Sequence, residues 1–514
     1  MKTWIYIVSD LAFVAFWVLT QLKALHMFQL NGYKPGTHRR WLSKNLGVFV
    51  PGIPVMIAAA ATMYWGGIWV AVASVLCAAF QWPRKAKKPL VFTKRVIRQC
   101  VTLTLLTVLA LVGSSMLMFV LHFWVIGVMA LTAPLWVMLA NFCNKPVEAA
   151  INRWFLNDAK KILKSCPDLL TIGVTGSYGK TSVKYILRTL LQAKYDCLMT
   201  PESYNTPMGV VLTVRNHLRP THEVFVCEMG ARNVGDIKEL CDIVHPGFGI
   251  ITSVGPQHLE TFGSIENVKK TKFELADALP ETGTLFLNGE DENIASYRQH
   301  VKNPVVTYGL HEGCDYYATD LSASSRGTTF TAHGPGGVTE TFTAAMLGKH
   351  NVINIMGAVA ICCELGIPLA KLKPQVRKLE SVPHRLQLLH RGAVTVIDDA
   401  YNSNPSGSRA AIDALALFDG FKVLVTPGMV ELGERQDELN KAFGAYAAGV
   451  CDYVVLVGRK QAVPIREGLL EAGYPPEKIY VADALADGLE KAYMVSAMGR
   501  EKVILLENDL PDNF

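Results

Sequence analysis

The chain has 514 residues, half of them hydrophobic and 18% charged, with a formal net charge of +6 and a positive mean hydropathy. That length allows roughly three domains, and the composition excludes an ordinary, wholly soluble enzyme: part of the chain is expected in lipid. Eleven cysteines occur without a Cys-x-x-Cys pair or metal-type spacing, which predicts reduced, mostly buried thiols in a cytoplasmic setting.

Five apolar segments open the chain, at Trp4–Leu22, Leu46–Tyr64, Gly66–Trp82, Val101–Leu121 and Phe123–Phe142. They predict an N-terminal helical transmembrane domain of about five spans over residues 1–143. Met1–Leu22 has no obvious small-residue cleavage site, so a removable leader does not explain it. Lys23, Lys34, Arg39, Arg40 and Lys44 follow the first span, and Arg84 to Arg98 carry seven bases after the third. The turns after spans two and four carry no Lys or Arg. This alternation predicts a multi-pass protein of the cell membrane, with the N-terminus outside and everything beyond Lys145 in the cytoplasm. The lipid bilayer is thus an expected partner, and nucleic acid is not. Asp10 is the one acidic residue in these segments; it faces either a function or the interface. The basic connections serve topology first, with anionic headgroups or a lipid-phosphate substrate as the alternative.

Residues 144–168 predict an amphipathic connecting helix, with Ile151, Trp154, Phe155, Ile162 and Leu163 apolar and Cys166-Pro167-Asp168 ending it. Beyond it, strand-like and helix-like patterns alternate, which predicts α/β domains with mainly parallel sheets. Thr171–Thr175 is a short buried strand, followed by Gly176-Ser177-Tyr178-Gly179-Lys180-Thr181-Ser182 and a helical pattern. Glycines let backbone N–H groups curl round an anion at a helix N-terminus. Lys180 can then reach outer phosphates, and Thr181 is placed for Mg²⁺. The strict phosphate-loop spacing asks for glycine at position 174, where the chain has Val174. Glu228 ends a buried strand that should share a sheet edge with this loop, where it can hold Mg²⁺; the plain alternative is a helix cap. His258 follows another such strand, Gly249–Val254.

Taken in order, Thr175-Gly-Ser-Tyr-Gly-Lys-Thr181, Asn205-Thr206-Pro-Met-Gly209, Glu228-Met-Gly-Ala231, His258-Leu-Glu-Thr-Phe-Gly-Ser264, Gly348-Lys-His-Asn351, Pro383-His-Arg385, Asp398-Asp399-Ala-Tyr-Asn402-Ser-Asn404 and Gly428-Met-Val-Glu431 resemble the Mur ligase family. The resemblance runs from about Leu169 to Leu506. It implies a P-loop central domain over 169–385, which binds ATP, and a Rossmann-like C-terminal domain over 386–514. Strands are expected there at Val394–Asp398, Lys422–Val425, Tyr453–Val457, Ile479–Val481 and Val503–Leu506.

The family's roles imply nucleotide contacts from Gly176, Ser177, Gly179, Lys180, Thr181 and Ser182. Asn288 and Asn351 would lie near the adenine, with Arg385 and Asp399 at phosphate and ribose. Thr181, Glu228, His258 and Lys272 would serve two Mg²⁺ ions, Lys272 as a carbamylated lysine, with Lys269 and Lys270 as rivals for that role. Lys180, Glu228, His258 and Lys272 make up the implied catalytic set, and Asn205, Thr206, Asn402 and Asn404 the substrate-facing one.

The implied reaction passes phosphate from ATP to a carboxylate and then couples the acyl phosphate to the amine of an amino acid or peptide. Peptidoglycan or other cell-envelope precursor synthesis is the expected setting. The alternatives are a ligase building a polymer such as poly-glutamate, or one acting on a non-peptidoglycan acceptor. A transporter ATPase would carry polar groups in its spans and a dimer-type signature, and neither is visible in the sequence. Membrane helices stand where the family's soluble members hold a UDP-sugar, and the C-terminal residues lack a Lys-Gly-Ser-Arg element. A lipid-linked acyl substrate would fit the first departure, and the second leaves the acceptor open.

Overall fold

The computed structural model describes residues 2–62, 67–81, 89–116, 119–257, 259–324, 327–381, 384–392, 394–400, 403–430, 432–458 and 462–508. They divide into two compact units, Met1–Trp154 and Phe155–Phe514. His258, Asn402, Pro383, Glu431 and the C-terminal 509–514 lie outside the described residues.

The first unit is helical. Helices Ile7–Leu30, Lys94–Ser115 and Leu121–Lys164 are long and apolar enough to cross a membrane, and Ile68–Phe80 is a shorter apolar helix. The Leu46–Tyr64 segment instead gives a 3₁₀ turn, Leu46–Phe49, and a nine-residue helix, Gly52–Ala60. Pro51 and Pro54 keep a single long helix from forming there, because proline offers no N–H to the turn before it. Phe119–Lys164 is one continuous helix through Pro134 and Pro146, so the fifth apolar segment and the connecting stretch are a single element.

These apolar helices are less uniformly apolar in effect than their composition implies. His122, fully buried, lies 2.9 Å from Asp10 Oδ1 through Nε2 and 2.8 Å from Ser114 Oγ through Nδ1. The Trp17 indole donates to Thr107 Oγ1 at 2.8 Å, and the Gln21 amide to Ala133 O at 2.9 Å. Asp10 is thus paired between helices, which answers the cost of a carboxylate among apolar segments.

The second unit holds two sheets. The first runs β2-β3-β1-β4-β5-β6-β7-β8-β9, with β1 Leu170–Thr175, β2 Cys197–Met199, β3 Val224–Glu228, β4 Phe248–Ile251, β5 Thr284–Asn288, β6 Val305–Gly309, β7 Tyr316–Ser324, β8 Gly327–Gly334 and β9 Val338–Ala344. Pairing is parallel as far as β7 and antiparallel from β7 to β9. On one face Ile172 and Val174 pack with Val183, Ile186 and Leu187 of helix Lys180–Leu191 and with Ile355 and Val359 of helix Lys349–Glu364. On the other, Phe225, Ile251 and Leu285 meet Val211, Ile237, Val268 and Leu275. Ala159, Phe155 and Ile162, from the end of the long helix, join that second layer. Burial of this kind contributes about 1.5–3 kcal/mol for each large side chain.

The second sheet runs β10-β11-β15-β12-β13-β14, with β10 Gln387–Arg391, β11 Val394–Asp399, β12 Phe421–Thr426, β13 Tyr453–Val457, β14 Ile479–Ala482 and β15 Lys502–Glu507. The five strands expected from the sequence are all present, and β10 adds an antiparallel edge.

Candidate active site

In the first sheet β1 lies between β3 and β4, although β2 and β3 follow it in the chain. The connections therefore diverge on either side of β1, and its carboxyl end opens into a crevice. The phosphate loop occupies that end. Val174 is buried inside β1, so the strand runs two residues further than the strict spacing allows and Gly176 opens the turn. Its φ is +151°, and a Cβ there would meet Thr252 Oγ1 at 2.1 Å. Ser177 N–H donates to Ser253 O at 2.7 Å and Tyr178 N–H to Ser253 Oγ at 2.8 Å, clamping the loop against the end of β4. The first bond within helix Lys180–Leu191 runs from Val183 N–H to Gly179 O. The N–H groups ahead of it are the kind that bind anions at a helix start.

Lys180 Nζ donates to Gly176 O at 2.7 Å and to Ser177 O at 3.0 Å. Burial pulls its ammonium down to about 8, with the Glu228 charge opposing and that of Arg385 assisting. Glu228, at the end of β3, is 1% exposed. Its Oε1 accepts from Thr181 Oγ1 at 3.2 Å and from Asn205 Nδ2 at 3.1 Å, and its Oε2 lies 2.9 Å from Lys184 Nζ. Burial alone would raise this carboxyl, but the charges of Lys184 and Lys180 and the hydrogen bonds from Lys184 and Asn205 hold it below its ordinary value. The hydroxyl of Thr181 and the carboxylate of Glu228 are hard oxygen donors of the kind Mg²⁺ takes. They fit the ion, with Lys184 already holding one carboxylate oxygen.

Lys184 is the residue the sequence motifs overlook. It is fully buried, ion-paired to Glu228, and also donates to Glu202 O. The available signal is its position four residues after Lys180, which puts both on one helix face.

Lys272 sits in helix Ile265–Ala278, 2% exposed, with no hydrogen-bond partner among the described residues. Burial, then the charge of Lys180, pushes its ammonium well below the ordinary range. Of its rivals, Lys269 is committed to Glu266 at 2.9 Å and Ser296 at 3.1 Å, and Lys270 is exposed.

A cleft beside the loop is lined by Gly179, Ser182, Asn288, Asn351, Arg385, Asp399 and Asn404, among others. Asn288 Nδ2 donates to Thr252 O at 2.9 Å, and Asn351 Nδ2 to Leu347 O at 2.7 Å. Arg385 Nη2 reaches Thr181 Oγ1 at 3.4 Å. Asp399 ends β11 and accepts the Leu386 N–H at 3.1 Å; burial pushes its carboxyl up to about 6 against that bond and the Arg385 charge. Glu507, at the end of β15, is bonded by Ser403 and Thr426, and burial pushes it up to about 7 against those two bonds.

Two of the expected substrate-facing residues cap helices. Thr206 Oγ1 accepts from Gly209 N–H, and Asn404 Oδ1 from Gly407 N–H. Asn404 lines the cleft as well, whereas Asn205 is drawn to Glu228. His258 and Asn402 fall outside the described residues.

A glycine loop between a parallel strand and a helix, with a buried carboxylate on the neighbouring strand, defines an α/β nucleotide-dependent enzyme. The Mur ligase middle domain matches residues 174–362, and the Mur ligase glutamate ligase domain matches residues 384–506. The UDP-N-acetylmuramoyl-tripeptide–D-alanyl-D-alanine ligase of Haemophilus influenzae is 32% identical over 314 residues, 60% of this chain and 68% of the relative. That of Bacillus subtilis is 34% identical over 305 residues, 58% of this chain and 65% of the relative. The chain thus spans about two thirds of the length of these relatives. The crystal structure of MurF from Acinetobacter baumannii matches with a TM-score of 0.63 at 26% identity, over 70% of this chain and 77% of that one. MurF of Thermotoga maritima in complex with ADP gives 0.61 at 27% identity, over 70% and 80%.

The chain belongs to the Mur ligase family, whose members are ATP-dependent, ADP-forming amide ligases that use Mg²⁺.

Proposed function

We propose that this chain is a membrane-tethered ligase of cell-envelope precursor synthesis, activating a carboxylate as its acyl phosphate and coupling it to the amine of an amino acid or peptide. The observation that carries the proposal is the cationic crevice at the end of β1, where Lys180, Lys184 and Arg385 surround one ionised carboxylate, Glu228. Such a site favours a triphosphate and neutralises charge on a phosphoryl group in flight. The chemistry explains the need: a carboxylate is a poor electrophile until its oxygen becomes a leaving group. The carboxylate oxygen attacks the terminal phosphorus and ADP leaves; the amine then adds to the acyl carbon, and inorganic phosphate departs carrying that oxygen. Mg²⁺, held by Thr181 and Glu228, would share the phosphate charge.

Two of the relatives are named for adding D-alanyl-D-alanine to a UDP-N-acetylmuramoyl-tripeptide; we extend to this chain the coupling of a peptide-type amine to an envelope-precursor carboxylate, with a lipid in place of the UDP carrier. We further propose that the N-terminal unit is multi-pass, with about five spans, the N-terminus outside and the catalytic domains in the cytoplasm. A lipid-linked acyl substrate would then be confined to the plane beside the enzyme, raising its effective concentration. The supporting observations are the three long apolar helices and the alternation of basic connections.

The test uses full-length protein in detergent with ATP, Mg²⁺, acyl substrates labelled with ¹⁸O in the carboxylate, and candidate amines. Phosphate release should require both partners, and the phosphate should carry the label. Unlabelled phosphate released with neither partner would overturn the ligase. Equal turnover of UDP-linked and lipid-linked acyl substrates would remove the lipid-linked part alone.

We assign the carbamate to Lys272, beside a second Mg²⁺. Burial favours its neutral amine, the form that can attack CO₂, forming the N–C bond and losing a proton to solvent, and the product is an anion that can face a metal. Lys272→Ala should abolish most turnover, and acetate or formate should restore part of it. If Lys269→Ala behaves this way while Lys272→Ala does not, the assignment is off by one helical turn.

A further inference from the structure

Where β5 and β6 end side by side, three side chains with no part in the ligase chemistry converge. Glu290 follows β5, and His311 and Cys314 lie in the turn between β6 and β7. His311 Nδ1 is 2.7 Å from Glu290 Oε1, and Cys314 Sγ is 3.7 Å from His311 Nε2 and 4.0 Å from Nδ1. One ligand atom from each residue falls within 4.8 Å of the others. Zinc bonds of about 2.3 Å to sulfur and about 2.0–2.1 Å to nitrogen or oxygen set tetrahedral ligand atoms roughly 3.3–3.6 Å apart. The His311–Glu290 separation would therefore open by about half an ångström and the Cys314–His311 separation close by less, and the side chains of Glu290 and His311 are the less buried of the three.

The backbone around them is cut to fit. A Cβ at Gly289 would lie 2.5 Å from the Cys314 sulfur, and one at Gly309 would lie 2.5 Å from Glu290 Oε1 and 3.0 Å from the same sulfur. Neither glycine has a positive φ, so neither is required by backbone conformation. Both strand ends are bare where the thiol and the carboxylate need room. Cys314 is 6% exposed, whereas the side chains of Glu290 and His311 are 31% and 54% exposed, leaving an approach from solvent and a fourth position for water.

We propose that Glu290, His311 and Cys314 form a site for a thiophilic divalent cation of the Zn²⁺ class, separate from the Mg²⁺ site at Glu228. A thiolate and an imidazole select such an ion over Mg²⁺, which prefers oxygen ligands throughout. Thiolate and carboxylate together balance the double charge of the ion. Binding displaces the thiol proton of Cys314 to solvent, so ion uptake releases protons. Glu290 N–H also donates to Asn288 Oδ1 at 3.0 Å, so an ion here braces the end of β5 next to the nucleotide cleft.

Full-length protein, stripped with chelator under a non-thiol reductant, is titrated with Co²⁺ as a spectroscopic stand-in for Zn²⁺. One Co²⁺ per chain should bind with a thiolate-to-cobalt charge-transfer band, and added Zn²⁺ should displace it. Cys314→Ser should lose that band, and Glu290→Gln and His311→Ala should each weaken binding ~10-fold or more. The latter two replace partly exposed side chains and serve as the folded controls if Cys314→Ser melts early. An unchanged band in Cys314→Ser would assign the signal to another of the eleven cysteines; that outcome, like the absence of any band in the parent chain, overturns the site.

Discussion

Replacing Lys180 by alanine should lower substrate-dependent phosphate release about 10²–10³-fold, the usual effect of removing one preorganised donor from a charge-developing centre. The melting temperature should hardly change. Lys180 gives two hydrogen bonds to its own loop, and their loss is offset by relief of the repulsion it shares with Arg385. The site gathers more positive charge than Glu228 can balance, an arrangement that disfavours the empty crevice and favours a polyanion. Because burial holds the Lys180 ammonium near 8, the protein without nucleotide should lose affinity for ATP as pH rises past that value. Phosphate release and thermal melting on the same preparation check the prediction; near-normal turnover in Lys180→Ala would show that the loop does not carry the chemistry.

Lys184→Met should cost stability as well as turnover. The methionine fills a similar volume but leaves the Glu228 carboxylate buried without its ion-pair partner. Breaking one side of such a pair costs about 3–5 kcal/mol, even though the intact pair adds little over two apolar residues. For the unit Phe155–Phe514 that is roughly 4–7 °C in melting temperature. The double variant Lys184→Met, Glu228→Gln should recover most of the loss while remaining inactive, since the stranded charge is gone and so is the proposed metal ligand. Melting of the two variants side by side tells the cases apart. If the single variant melts with the parent, Lys180 or water is balancing Glu228 and Lys184 is only filling space.

The parallel strands are legible because each is a short, unbroken apolar run, and the loop after β1 announces itself by glycines and Lys180. The hairpins β7 to β9 are not. Their buried positions alternate with threonine, serine, glutamate and glycine on a half-exposed face, so hydropathy shows no run. Val174 looks like a departure from the phosphate-loop spacing only because the strand's end cannot be located to the residue without its partners. Thr206 and Asn404 stand in motifs beside their neighbours, yet their side chains close helix ends. A motif preserves the position of a residue and says nothing of where its oxygen points. Lys184 escapes notice for the opposite reason: an isolated lysine on a helix suggests solvent, and only the third dimension brings it to a carboxylate.

Helix Lys180–Leu191 carries Lys180, Thr181 and Lys184 within its first five residues. In the proposed reaction the first would meet the phosphate and the second the metal, while the third is ion-paired to the Glu228 carboxylate. A rigid rod cannot pivot about one of these groups without displacing the other two. Nucleotide and cation affinity are therefore geared to a single mechanical part, and the catalytic centre engages or disengages as a whole.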